Sequence, residues 1–405
     1  MNRRSTTRIT DYIIWWIVSL WLIIDSLNGL LISKSINVPI SQIFKLGALA
    51  IITFQLSRKK KYCFLILCII LYITLYITHL AVNNHDISGS IIYLSKFISL
   101  VLFYCYFRLS FENYNNYAIH YGYKSLIIGI IVVGINISLG VLGYGIPSYG
   151  EENIDMGVKG FFFAGNELGG IMAVMAPFIF YIIINNCKKK TLYFSYLIVI
   201  IIGILIGTKT SIIATIASAI IVPLLYLPTN KRRKVLIIWI VIIVILSIAI
   251  KEIIIEMNIG AISRWMYFYE MGGFDRLIFS GRDEFWDIKS KYFYSSPFIS
   301  QLLGTGADYG IVERDHLDTM IIYGYFGLVL IVSFIVYLLI YAIKHIRNNS
   351  LCKIVILSDI MILGIGYMAG HVWFSAMASI YVALLNAFVV IKKKGIIFSN
   401  KSITA

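Results

Sequence analysis

The chain has 405 residues, 59% of them apolar, and a mean hydropathy of +0.85, well above the ~45–50% apolar content of soluble globular domains. That composition excludes a water-soluble enzyme, and it makes the formal charge of +15 a matter of membrane topology rather than of nucleic-acid binding. Apolar runs of about 18–25 residues recur along the chain, each able to cross a roughly 30 Å hydrocarbon layer. Lipid offers the backbone no hydrogen-bond partner, so these runs must be helices.

About twelve spans are predicted, at 13–32, 38–57, 62–80, 91–108, 123–143, 162–184, 191–208, 211–227, 235–254, 319–342, 352–370 and 373–391. The first run lacks a small-residue cleavage site after it, so it reads as a span and not as a signal peptide. Basic residues fall at the two ends and in alternate connections: Arg3, Arg4, Arg8, Arg58–Lys61, Lys188–Lys190, Lys231–Lys234, Lys344, Arg347 and Lys392–Lys394. The positive-inside rule then places both termini in the cytoplasm. The organisation expected is helices 1–9 over 1–254, one large extracytoplasmic loop at 255–318, helices 10–12 over 319–391 and a basic cytoplasmic tail at 392–405. Cys63, Cys68, Cys105, Cys187 and Cys352 lie near expected cytoplasmic ends, which argues against a disulfide framework.

Charges inside spans are costly and mark function or pairing. Asp25 in span 1 and Lys45 in span 2 lie at similar depth and are expected to form a structural ion pair. Lys96 sits about one turn below the outer end of span 4. Glu167, within Phe161–Gly170, opens span 6. Lys209, within Gly207–Ser211, occupies the turn between spans 7 and 8. Asp359 alone falls in the cytoplasmic half, and His371 ends span 11 on the outer side.

The loop at 255–318 is too long for a plain connection and carries more than half of the chain's 20 acidic residues if Glu252 is included. Ser280-Gly281-Arg282-Asp283 resembles an N-cap with an acid three residues on, and Phe285, Ile288 and Tyr292, with Trp286 and Phe293, follow at helical spacing. An amphipathic helix on the membrane surface is predicted there, ended by Pro297. Arg282 falls in its first turn, where a cation is misplaced unless an anion also binds. The other reading is an exposed arginine paired with Glu284 or Asp287. Arg264 and Arg276 carry the same ambiguity, and Arg314 can simply neutralise its acidic neighbours. His316 stands between Asp315 and Asp318 at the mouth of span 10. The carboxylates favour its imidazolium and the helix start opposes it, a balance suited to a general base. The bland alternative is an interfacial histidine in an acid-rich helix start. Glu313, Asp315, His316 and Asp318 have the side chains of a metal site, but the two aspartates serve equally well as helix caps. No cofactor motif is present: the glycines at 304 and 306 lack the ending of a phosphate loop.

Four segments in order resemble the bacterial O-antigen polymerase and O-antigen ligase superfamily, the family of Wzy-type polysaccharide polymerases. They are Phe161–Gly170; Gly207–Ser211; Gly281-Arg282 with Trp286 and Leu303–Gly306; and His316 ahead of Tyr323–Gly327. Gly370-His371 and Ser375 also fit, so the resemblance spans roughly 160–390. Two departures stand out. Lys209 stands where the family usually has arginine, keeping charge but losing bidentate geometry, and leucine follows His316 where family members often have asparagine.

The resemblance implies an all-α polytopic membrane protein of GT-C-like architecture in the bacterial inner membrane. It implies a metal-independent, inverting glycosyl transfer with no cofactor, the donor being a glycan on undecaprenyl pyrophosphate. Arg282 and His316 would be catalytic, the first on the departing pyrophosphate and the second on the acceptor hydroxyl. Arg264, Lys209, Arg276, Arg314, Glu167, Asp318 and His371 would line the substrate site. Membrane lipid, a chain-length regulator and a flippase are the partners implied, with no nucleic acid. A polymerase of O-antigen, capsule or exopolysaccharide is the leading reading and a ligase of the same superfamily the nearest alternative. A transporter would instead string charges along a path through the bilayer.

Overall fold

The computed structural model describes residues 3–112, 116–151, 154–186, 189–241, 260–308 and 310–391. The first helices are α1 (Arg3–Ser33), α2 (Ile40–Ser57), α3 (Lys60–Val82), α4 (Ile87–Glu112), α5 (Asn116–Val141), α6 (Gly165–Asn186), α7 (Lys189–Leu205) and α8 (Lys209–Tyr226), joined by short connections except between α5 and α6. After the segment outside the description come α9 (Gly260–Phe279), α10 (Arg282–Ser295), α11 (Phe298–Leu303), α12 (Asp315–His345), α13 (Cys352–Met368) and α14 (Ser379–Ala387). Among the described residues, eight helices are long and apolar enough to cross a membrane. The chain is an all-α polytopic membrane protein.

Ten of the predicted spans coincide with α1–α8, α12 and α13. The span expected at 235–254 begins as helix over 229–241 and otherwise lies outside the described residues. The one expected at 373–391 shortens to α14 and a 3₁₀ turn, Phe388–Val390, because the stretch before it is taken up by hydrogen bonding to other elements. The connection 144–161 carries an antiparallel hairpin unforeseen in the sequence, β1 (Pro147–Glu151) with β2 (Ile154–Val158).

Helix α6 runs through the centre of the bundle, buried from Leu168 to Phe180. Its small residues Gly169, Gly170, Ala173 and Ala176 let α8, α13 and α14 approach closely, as membrane helices require. The expected ion pair is present, with Lys45 Nζ 2.6 Å from Asp25 Oδ1; Ser41 donates to the same carboxylate.

Helix α12 is broken at Gly324, whose φ of 69° only glycine adopts without strain. A Cβ there would also strike the Leu302 carbonyl. The break frees carbonyls of the preceding turn, and incoming groups satisfy them. Thr305 N–H donates to Ile321 O (2.8 Å), Gly306 N–H to Ile322 O (3.3 Å) and Tyr76 Oη to Ile322 O (2.9 Å). The segment after α11 is thereby threaded into α12 and against α3.

Helices α9–α11 form a lid with its own small core, in which Phe293 and Val312 pack with Met320 and Ile321 of α12, and Trp286 lies against them. The helix predicted after residue 280 is α10, and Pro297 follows its end. Its apolar residues divide: Phe285, Ile288 and Tyr292 are exposed while Phe293 is buried. The capping expectation is corrected. Gly281, in the left-handed region at φ 85°, is the N-cap and makes no side-chain capping bond, and the Ser280 hydroxyl is engaged elsewhere.

Candidate active site

The lid, the start of α12 and the 369–378 connection meet at one end of the bundle, held together by side chains that accept backbone N–H groups. Asp315, in the first turn of α12 and buried, accepts from His371 (2.7 Å), Val372 (2.9 Å) and Trp373 (2.8 Å). Asp318 accepts from Val312 N–H at 2.5 Å. Both aspartates do cap backbone, Asp315 across the chain and Asp318 on the segment just before its own helix. Glu167, at the start of α6, accepts from the Ser375 hydroxyl at 2.6 Å and from Met377 N–H at 3.3 Å. Ser375 in turn accepts from Ala378 N–H at 2.8 Å, at the start of α14.

Backbone strain concentrates at the same place. Five described non-glycine residues have positive φ, and three are here: Ser280 (54°), Glu313 (64°) and His371 (70°). Such conformations cost about 1–3 kcal/mol each and gather at functional sites when the surroundings over-determine them. Two of them are directly linked, since Gly370 N–H, next to His371, donates to Glu313 O at 2.5 Å. A Cβ on Gly370 would collide with the Glu313 backbone.

Arg282 opens α10 and points to Glu313, not to Glu284 or Asp287. Its Nη2 and Nε donate to Glu313 Oε2 at 2.8 and 3.2 Å, and Nη1 to the Phe279 carbonyl at 3.3 Å. Arg276 instead takes the acids of the α10 start, with Nη2 2.5 Å from Glu284 Oε1 and Nη1 3.2 Å from Asp283 Oδ2. Lys209 is the first residue of α8, after Thr208 as N-cap. Its ammonium donates to Leu277 O at 2.5 Å and to Ser280 Oγ at 3.0 Å, so the turn between α9 and α10 sits on it. Arg314 is sandwiched between Phe279 and Tyr367 at 4.1 and 5.1 Å, a cation–π arrangement, and so does not serve its acidic neighbours. Arg264 lies in the part of α9 whose side chains are outside the description.

The two histidines differ. His316 stacks on Tyr367 at 4.8 Å and 12°, with Arg314 on the same ring, and its Nδ1 is buried without a hydrogen-bond partner. The charges acting on the His371 imidazole are those of Glu167, Glu313, Lys96 and Arg282; burial pushes its pKa down against the two carboxylates. Lys96 lies over the Tyr93 ring at 5.2 Å. Arg282, Lys209, Arg276, Glu167 and His371 are therefore brought to one region, with Glu313 as the member least visible in the sequence. Its neighbours Asp315 and Asp318 are spent on amides, and among the described residues no three His, Cys, Asp or Glu side chains converge as metal ligands.

Chemically, this is a cluster of guanidinium and ammonium groups at two helix N-termini, an arrangement suited to phosphate oxygens. The chain matches the family described as "O-antigen ligase like membrane protein" over residues 9–267 and 271–395. A comparison with curated proteins finds no match. The chain belongs to the O-antigen ligase-like membrane protein family.

Proposed function

From that membership we propose a polysaccharide polymerase that transfers undecaprenyl-pyrophosphate-linked glycan onto the next lipid-linked repeat unit at the outer face of the bacterial inner membrane. The observation that carries the reading is Arg282, a cation at the start of α10 beside Lys209 at the start of α8, with a carboxylate already seated on its guanidinium. A diphosphate offers the same oxygen geometry with more charge. Arg282 and Lys209 would hold the departing diphosphate, the term on which an inverting transfer depends most. Arg276 would hold the acids at the start of α10 away from it. Both termini would be cytoplasmic, the lid extracytoplasmic, and a flippase and a chain-length regulator its working neighbours.

His316 and Arg314, layered on Tyr367, are assigned to positioning the Glu313 turn rather than to proton transfer. Glu167 and His371 support the acceptor side through the 369–378 connection, and Asp318 by holding Val312 N–H. The test is reconstitution into liposomes with undecaprenyl-diphosphate-linked repeats alone. A polymerase lengthens them; a ligase leaves them unchanged until a second acceptor is added, and no reaction in either case rejects glycan transfer.

A further inference from the structure

We propose that the end of the bundle away from the lid carries a headgroup site for an anionic phospholipid, in which Lys61 and Arg108 hold the phosphodiester and Tyr62 donates to one of its oxygens. The site goes beyond the transfer reaction and does not depend on it. Helix α4 fixes its place. It begins beside the segment after α11, where Asp86 N–H donates to Asp308 and Ser90 accepts from Ala307 N–H, and it ends on the opposite side with Arg108 and Glu112.

There two cations share one carboxylate. Lys61 Nζ lies 2.8 Å from Glu112 Oε2 and Arg108 Nε 2.8 Å from Glu112 Oε1, which leaves the trio one positive charge in excess. The guanidinium stacks over the Tyr341 ring at 4.8 Å, and its Nη1 donates to Tyr337 Oη at 2.5 Å and to Tyr104 Oη at 3.3 Å. Arg108 is thus positioned by α4 and α12 together, and Lys61 brings in α3.

Tyr62 supplies an independent observation. Its side chain is only 6% exposed, and its hydroxyl has no hydrogen-bond partner among the described residues. The ionisable groups acting on that hydroxyl are Cys105, Glu112, Arg108 and Tyr337, so it belongs to the cluster. A buried hydroxyl left without a partner is costly, and an anion held by the two cations would satisfy it.

A lipid phosphate fits the depth as well as the charge. Tyr337 and Tyr341 stand eight and four residues before the end of α12, roughly 6–12 Å along its axis, where tyrosines line the membrane–water boundary. Apolar strips run from there toward the bilayer interior. Phe64, Leu67 and Leu71 follow Lys61 on the exposed face of α3, and Val336 and Ile340 flank Tyr337 on α12. One phosphodiester matches the one charge in excess. Lys59, Lys60 and Lys344, exposed at the same helix ends, repel a headgroup that carries its own ammonium, so the lipid is anionic rather than zwitterionic.

The experiment uses the full-length protein in vesicles of phosphatidylcholine with and without phosphatidylglycerol, reading melting temperature and the phosphatidylglycerol retained in native mass spectrometry. Wild type is expected to retain that lipid and to melt higher in its presence; no retention overturns the proposal. Lys61→Gln and Arg108→Gln are expected to weaken retention by more than about 10-fold, the scale of a hydrogen bond to a charged group. Lys60→Gln should lose no more than the ~5-fold of diffuse attraction. Tyr62→Phe is expected to melt no lower than wild type in phosphatidylcholine alone and to gain less from phosphatidylglycerol, which keeps the test sound even where Arg108→Gln fails to fold. Equal losses in Lys60→Gln and Lys61→Gln overturn the site in favour of diffuse attraction. A lower melting temperature for Tyr62→Phe in phosphatidylcholine alone overturns it as well, because the hydroxyl would then already be satisfied. Inorganic phosphate that stabilises wild type as much as phosphatidylglycerol does overturns the assignment to a lipid.

Discussion

His316 and His371 show how little a residue's immediate sequence says about its surroundings. Between Asp315 and Asp318, His316 reads as a poised base, but both aspartates turn to backbone amides and the imidazole stacks on Tyr367. Positioning by stacking predicts that His316→Phe keeps activity within about 3-fold of wild type, whereas His316→Ala, losing the ring contact worth about 0.5–1.5 kcal/mol, loses more. A loss in His316→Phe equal to that in His316→Ala, followed by polymer length in vesicles, would restore it as the base. His371 carries a pH prediction. Burial holds its pKa below the ordinary value, so the folded protein binds fewer protons than the unfolded chain. Stability is full above the unfolded pKa of about 6.5 and declines as pH falls through the window below it. Melting temperature should drop from pH 7.5 to pH 5.5 by more in wild type than in His371→Gln. Arg282 was legible as a helix-start cation because that depends on local sequence, whereas Lys209, read as lying in the turn before span 8, is the first residue of α8. The partner of Arg282 was not legible, because Glu313 lies across a lid whose path only packing determines.

At the scale of elements, hydropathy located nearly every long helix because lipid leaves the backbone no alternative. It failed where polar bonding replaces that constraint: the hairpin at 147–158 and the shortened last helix before Ser379. Neither the break in α12 at Gly324, inside the span expected at 319–342, nor the threading of residues 305 and 306 into it was foreseen. Gly324→Ala should cost about 1–3 kcal/mol for the left-handed conformation alone, and more from the clash with Leu302 O. Gly364→Ala, where an added Cβ meets nothing within 4 Å, should leave melting temperature and polymer length unchanged. Equal melting temperatures for the two variants would mean that the break does not hold the lid.

For the whole molecule, the proposed orientation follows from alternating basic connections, and impermeant labelling tests it. Lys291→Cys, in exposed α10, should react with a membrane-impermeant maleimide on intact cells stripped of outer barriers, and Lys344→Cys, exposed at the end of α12, only after lysis. The reverse pattern would put the lid and its chemistry in the cytoplasm. Composition made the membrane class plain and the ordered motifs made the family plain, whereas the meeting of distant segments at the site was decided by hydrogen bonds of Asp315 and Glu167 that have no sequence signature. Asp315 has a consequence for exchange between relatives. Its carboxylate belongs to the lid side of the chain, but the amides it holds belong to the segment before the last helix, 56–58 residues later. A chimera that imports a foreign lid to change sugar preference, while keeping the native 369–378 stretch, parts the two halves of one clamp. Productive hybrids should therefore arise from crossovers that carry 260–378 as a single block, and specificity in this fold should be inherited in that unit.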